Sequence, residues 1–187
     1  KHGMTVPARD IMEKYTGKTG TLICSLVEEE YGYRIPDGFL DEVNETTESI
    51  MIRELKTVPG VLETLPMLSI PMCIASGSRP KRLNMCLDAT GLRPWFPDET
   101  VFSSHFVKNG KPAPDLFFYA AERMKVQPDK CVVIEDSTSG IIGAKAAGMH
   151  VYGFIGGSHC TPERGRQLTQ SGAELLFDDF TRLPTLL

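Results

Sequence analysis

Long apolar runs are missing from this sequence of 187 residues. A helix needs roughly 20 consecutive apolar residues to span a bilayer, and no stretch of the chain approaches that length. The first residues, "KHGMTVPARD", also lack the basic start and the apolar stretch of a secretory signal peptide. We therefore predict a soluble, cytoplasmic protein that does not bind a membrane.

Concentrated positive charge is missing as well. The 20 Lys and Arg residues are spread along the chain and are outnumbered by 24 Asp and Glu residues, so the net charge is -4. A protein module that binds the phosphate backbone of nucleic acid usually carries a basic stripe. The sequence therefore predicts no nucleic-acid partner.

Cysteine and histidine residues lack the spacing of a zinc site. The five cysteines include no Cys-x-x-Cys pair, and their odd number argues against a disulfide framework. Cys73 and Cys131 lie in apolar runs and are expected to be buried, reduced thiols. His105, His150 and His159 show no paired spacing and are expected to be structural or exposed.

Two kinds of hydrophobic pattern divide the chain. Residues 19–56 show helical periodicity on both sides of a turn that contains Pro36 and Gly38. From "VPG" at 58–60 onward, short apolar strands alternate with helices, which is typical of a parallel α/β sheet. We therefore predict a helical domain over 1–57 and an α/β domain over 58–187.

The α/β domain is predicted to contain five strands and at least four helices. Parallel strands place all their carboxyl ends at one edge of a sheet, and open α/β sheets bind ligands at that edge. A functional site is therefore expected there. The predicted strands cover 69–76, 100–104, 131–136, 150–155 and 174–177, and the predicted helices cover 79–91, 114–126, 139–148 and 161–171.

Polar residues gather at this predicted edge. Together they supply a hydroxyl group, backbone amides, one ammonium group and two carboxylates, which suits a phosphate group beside a divalent cation. Each part also has a simpler interpretation, because acidic residues and serines often cap helices and a Gly-Lys-Pro sequence is common in surface loops. The residues are Ser76, Gly77 and Ser78 after the first strand, Lys111 before a helix, and Glu135 and Asp136 after the third strand.

The adjacent carboxylates of Glu135 and Asp136 predict a metal site. Two neighbouring carboxylates resist ionising together unless a positive charge compensates them. Mg²⁺ takes oxygen ligands and commonly binds through one or two carboxylates plus a substrate phosphate. In this interpretation Lys111 neutralises phosphate charge and Ser76 donates to a phosphoryl oxygen, as phosphoryl transfer requires.

These motifs resemble those of the haloacid dehalogenase-like hydrolase superfamily, in the subfamily of phosphoglycolate phosphatases and β-phosphoglucomutase. "CIASGS" resembles its second motif, "GKPAPDLF" its third and "VVIEDSTSGIIGAKAAGM" its fourth, while "VPGVLETL" resembles the return from cap to core. The resemblance implies a Rossmann-like, doubly wound parallel sheet with a small helical cap. It assigns Ser76 and Lys111 to catalysis, and Glu135 and Asp136 to magnesium. "YTGKT" (15–19) is similar to the substrate-facing cap loop, so Lys18 becomes a candidate substrate contact beside Gly77 and Ser78.

The sequence departs from the family pattern in two places. Gly77 stands where Asn often follows the motif serine. The first motif, Asp-x-Asp-Gly-Thr, is absent, and no Asp-x-Asp occurs in the chain; the adjacent acids of "FDDF" (177–180) cannot replace it. We therefore expect the nucleophilic Asp and the first core strand to lie in an N-terminal segment outside these residues, and the 187-residue chain alone to be inactive.

The resemblance implies a magnesium-dependent phosphatase that acts on a small phosphorylated metabolite through an aspartyl-phosphate, as a monomer or weak homodimer. A sugar phosphomutase of the same superfamily is one alternative. A noncatalytic module that binds phosphate or a partner protein is another. A nucleotide-binding α/β domain is disfavoured, because no GxGxxG or GxxxxGK[ST] follows any strand.

Overall fold

A computed structural model describes residues 20–187, which divide into two compact units, the second beginning at Met51. The first unit contains α1 (Gly20–Tyr31) and most of α2 (Phe39–Glu54), so both helices predicted on either side of the turn are present. The amide of Ile35 donates to Oε1 of Glu28 at 2.7 Å and ties the connection back to α1. That residues 58–187 form an independent domain stays a prediction.

The second unit contains five strands among the described residues, and all of their pairings are parallel. β1 (Ile74–Ser76) pairs with β2 (Val101–Ser103). β3 (Val132–Glu135), β4 (His150–Phe154) and β5 (Leu175–Phe177) form a second sheet in that order. The carboxyl ends of the strands therefore lie at one edge within each sheet, as the sequence predicted.

Helices connect these strands, and their ends follow from the sequence. Pro80 opens its helix at a first-turn position where its missing amide is not needed, and Gly91 ends that helix with a φ of 71° in the left-handed region. Among the helices of residues 20–187, none combines the length and the apolar character that a membrane span requires. The helices of this unit are α3 (Val61–Thr64), α4 (Pro80–Thr90), α5 (Asp115–Met124), α6 (Thr138–Ala146), α7 (Pro162–Gln170) and α8 (Leu183–Leu186).

The predicted α/β class with parallel strands is confirmed, with two differences. The first strand was predicted over 69–76 but begins only at Ile74, because Pro71 lacks the amide that a ladder requires. The strands of the described part also form two sheets: β1 pairs with β2, β3 pairs with β4, and no ladder joins β1 to β3. Val132 in β3 is 38% exposed, although strands of parallel sheets are usually covered on both faces.

The core consists of several apolar clusters that hold the sheets between helices. Phe117 of α5, Ile141 of α6 and Leu168 of α7 pack with Val151 of β4 in one of them. Another contains Phe154, Phe177 and Leu183, in which the two phenylalanine rings lie edge to face with centroids 5.2 Å apart. Burial of these side chains is the main stabilising contribution to the unit.

All five cysteines lie in the described part and are free thiols. Cys73 and Cys131 were expected to be buried, but both are only partly buried. The reason is that they immediately precede β1 and β3 and pack against neighbouring core clusters from one side. Burial still raises the pKa of the Cys73 thiol to about 11, so this thiol is protonated at neutral pH.

Glu174 forms a polar link between α6 and the amino ends of β4 and β5. Its Oε1 accepts a hydrogen bond from Lys145 at 2.7 Å, and its Oε2 lies 3.0 Å from Nδ1 of His150. The hydrogen bond with Lys145, followed by that with His150, lowers the pKa of Glu174 to about 2. The link therefore contributes most to stability at pH values at which Glu174 is ionised.

For Glu174→Gln we expect a loss of about 0.5–1 kcal/mol in the free energy of unfolding at pH 7, because these side chains are well exposed and solvent screens the pair. The folded pKa lies below the ordinary value of 4.5, so the contribution is complete above about pH 4.5 and disappears as the pH falls through about 2. Urea unfolding of both proteins between pH 3 and pH 7 measures this. A difference that stays constant over this range would contradict the prediction, and Glu122→Gln, which changes an exposed acid within α5, is the control.

Candidate active site

Lys111 joins the two sheets at the carboxyl ends of their strands. It lies in the loop between β2 and α5, and its Nζ donates to the carbonyl oxygen of Ala75 in β1 at 3.1 Å. The same Nζ contacts Oε1 of Glu135 at the end of β3 and lies 5.2 Å from the ring centroid of Phe117. The Lys111 and Glu135 side chains are only 14% and 8% exposed, so water screens their attraction weakly. The structure thus brings together two of the residues that the sequence singled out.

Ser137 holds the second oxygen of the Glu135 carboxylate. Oε2 accepts from the Ser137 hydroxyl at 2.8 Å and from its amide at 3.3 Å. The same hydroxyl oxygen accepts from the amide of Gly140 at 3.0 Å and so caps α6. A Cβ on Gly140 would overlap the carboxylate of Glu135, so this place in the helix requires glycine. Ser137 and Gly140 were not predicted as site residues, although a serine three residues before a glycine at a helix start indicates such a cap.

Ser76 ends β1 and retains its hydroxyl hydrogen for a ligand. Its Oγ accepts from the amide of Ser78 at 3.2 Å, which leaves the O–H free to donate to another oxygen. The loop is tied to β2 by Ser103, whose fully buried hydroxyl donates to the carbonyl of Ser78 at 2.7 Å. A Cβ on Gly77 would meet no atom within 4 Å, so the loop leaves room beside this residue. Ser103 was not predicted from the sequence.

Asp136 lies beside Glu135 but has a different partner. Its Oδ2 lies 3.3 Å from Nε2 of His159, which belongs to the loop after β4, and both side chains are 50% exposed. Glu135 is the last residue of β3 and Asp136 lies just beyond the strand, and the two acids contact different partners. His159 is exposed, as expected, but its contact with Asp136 was not predicted. Lys18, the candidate substrate contact, lies outside the described residues.

The two carboxylates suit the predicted Mg²⁺ to different degrees. Asp136 is accessible, and among the described residues its carboxylate makes a polar contact only through Oδ2, so it fits a hard-cation ligand. The charge of Glu135 is already compensated by Lys111. Within residues 20–187, no three His, Cys, Asp or Glu side chains are grouped as a metal site. Mg²⁺ often takes few protein ligands and fills its coordination with water and phosphate oxygens, so a single accessible carboxylate can serve as its ligand.

A family model described as haloacid dehalogenase-like hydrolase matches residues 5–148 of the sequence. The chain belongs to the haloacid dehalogenase-like hydrolases. It is 26% identical over 161 residues to 6-phosphogluconate phosphatase of Escherichia coli. This match covers 86% of the chain and 72% of the relative. It is 34% identical over 144 residues to a phosphorylated carbohydrates phosphatase of Thermotoga maritima. That match covers 75% of the chain and 64% of the relative. The family resemblance drawn from the motifs is thereby confirmed.

A solved structure supports the same assignment of the fold. The crystal structure of a conserved haloacid dehalogenase-like protein of unknown function from Agrobacterium tumefaciens is 35% identical in sequence and superposes with a TM-score of 0.83. The match covers 99% of this chain and 84% of that one. The α/β fold with parallel strands is therefore shared with this family member.

Proposed function

We propose that this chain is the major part of a magnesium-dependent phosphatase that hydrolyses a small phosphorylated metabolite, such as a sugar phosphate. The observation that carries the proposal is the contact of Lys111 with both sheets: its shielded ammonium group lies against the carbonyl of Ala75, the residue before Ser76, and against the carboxylate of Glu135. The two phosphatases to which the chain is similar, named for 6-phosphogluconate and for phosphorylated carbohydrates, support this class of substrate.

Each residue of the site has a role in this proposal. The hydroxyl of Ser76 donates to a phosphoryl oxygen, and the ammonium group of Lys111 offsets the charge of the phosphate. Gly77 and Ser78 contact the substrate from the same loop, and Lys18 stays a predicted substrate contact. Because Lys111 is anchored on Ala75 and Glu135, its charge is already in place before the substrate binds.

The carboxylates complete the proposed site. Asp136 would hold Mg²⁺ directly, with Glu135 beside it directly or through water, and the cation supplies positive charge to the phosphoryl oxygens. The nucleophile of the scheme is an Asp from a segment outside these residues, since no Asp-x-Asp occurs among them. Its carboxylate oxygen bonds to phosphorus as the ester P–O bond breaks, and water then hydrolyses the aspartyl-phosphate.

Substitution of Asp136 by Ala tests the proposal. We expect magnesium-dependent phosphate release to disappear while the fold is retained, because the Asp136 side chain is half exposed. The measurement is phosphate release from a panel of sugar phosphates with Mg²⁺ and with EDTA, using the natural gene product after its mass and N-terminal sequence have been determined. Asp129→Ala, which removes an exposed acid before the amino end of β3, is the matched control.

The outcomes of this assay separate the alternatives. Retained magnesium-dependent turnover in Asp136→Ala would contradict the role of Asp136. Accumulation of an isomer in place of inorganic phosphate would indicate a phosphomutase. Absence of both products in the natural protein would indicate a noncatalytic binding role.

A further inference from the structure

The loop after β4 brings an imidazole to Asp136. Asp136 follows β3 and His159 follows β4, and these two strands are neighbours in the same sheet. The distance from Nε2 of His159 to Oδ2 of Asp136 is 3.3 Å. The two groups are within ion-pair distance, the Sγ of Cys160 lies 3.7 Å from the same nitrogen, and the contact leaves Oδ1 as the second oxygen of the carboxylate.

Two glycines of the loop after β4 lie close to neighbouring groups. A Cβ on Gly156 would overlap the carbonyl oxygen of Asp178, so only glycine allows the loop to pass so close to the residue after β5. A Cβ on Gly157 would lie 2.8 Å from Cε1 and 3.1 Å from Nδ1 of His159. A methyl group at this position would therefore press on the imidazole, which is half exposed and would have to move.

The far end of the loop is also anchored. The amide of Cys160 donates to the carbonyl of Gly157 at 2.9 Å and closes a turn around His159. Thr161 then caps α7, its hydroxyl accepting from the amide of Arg164 at 3.3 Å. The backbone at His159 is thus held by a closed turn and a helix start.

We propose that His159 is a positioning residue for Asp136. It holds one carboxylate oxygen so that a divalent cation can bind the other without first ordering the side chain. Polar groups in contact with a ligating carboxylate orient it, and their loss weakens metal binding even though they do not touch the metal. The proposal rests on the proposed role of Asp136 as a metal ligand.

Direct binding of Mn²⁺ tests the proposal without relying on turnover. Free Mn²⁺ is measured by electron paramagnetic resonance during titration of the whole chain and its variants. We expect His159→Ala to weaken the affinity for Mn²⁺ by about tenfold. His159→Gln, whose amide can donate a hydrogen bond to Asp136 Oδ2, should recover most of the affinity. Gly157→Ala should weaken binding in the same direction, because the new methyl group displaces an unchanged histidine.

The remaining variants separate the two proposals. His105→Ala, which removes another exposed histidine, should bind Mn²⁺ like the unsubstituted chain. If Asp136→Ala also binds like the unsubstituted chain, Asp136 is not a metal ligand and both proposals fail. If Asp136→Ala loses binding while His159→Ala and Gly157→Ala keep it, only the positioning role is overturned. Unfolding temperatures of all variants show whether a loss of affinity is accompanied by a loss of fold.

Discussion

In the Lys111→Met variant we expect the free energy of unfolding to fall by about 3–5 kcal/mol, because the buried Glu135 carboxylate loses its cationic partner. Only 8% of the Glu135 side chain is exposed, so water cannot replace the ammonium group. The variant also loses the hydrogen bond to the carbonyl of Ala75, and with it the polar link between the two sheets. Urea unfolding at neutral pH measures the change.

Lys145→Met is the matched control for this prediction. It also removes the lysine of a Lys–Glu pair, but the Lys145 and Glu174 side chains are 41% and 36% exposed. Solvent screens such a pair, so we expect a loss of at most about 1 kcal/mol. Equal losses in Lys111→Met and Lys145→Met would contradict the argument from burial.

A second substitution separates the stability of Lys111→Met from its activity. In Lys111→Met with Glu135→Gln, no unpaired charge remains buried, so most of the lost stability should return. Phosphate release should stay at least about 100-fold below that of the unsubstituted protein, because both the charge that offsets the phosphate and the Glu135 carboxylate of the proposed metal site are missing. Recovery of turnover together with stability would show that Lys111 acts on the fold alone.

Gly140→Ala should lower the free energy of unfolding by about 3 kcal/mol, although alanine is the better helix former. The new Cβ would overlap the carboxylate of Glu135, which must then move away from Lys111 and Ser137. The helical backbone of α6 fixes the position of the new methyl group, so the carboxylate has to move. Phosphate release should fall as well, because Lys111 loses one of its two anchors.

Gly165→Ala in α7 is the control for this substitution. Its Cβ would lie 3.5 Å from Cδ1 of Leu176, which is an ordinary packing distance. We therefore expect unchanged stability or a gain of up to about 1 kcal/mol from the better helix propensity. Urea unfolding of both variants checks the pair of predictions, and a Gly140→Ala protein as stable as Gly165→Ala would show that the carboxylate has room to move.

The local structure around the site was largely predictable from the sequence. In "CVVIEDSTSGIIGAKAAG", a β-branched run followed by small and polar residues predicts a strand and a helix, and both β3 and α6 are present. The rule that ligands bind at the carboxyl ends of parallel strands selected Ser76, Lys111 and Glu135 without any coordinates. Local propensity and hydrophobic period were enough here, because each element depends mainly on its own residues.

By itself, the sequence determined the α/β class, the order of its strands and helices, and which polar residues end the strands. Only the tertiary structure decided their partners: Lys111 with Ala75 and Glu135, and His159 with Asp136. It also decided that the described strands form two sheets. Periodicity reports which side of an element is buried, whereas a contact between distant residues depends on how the elements pack against one another. No local pattern encodes that packing.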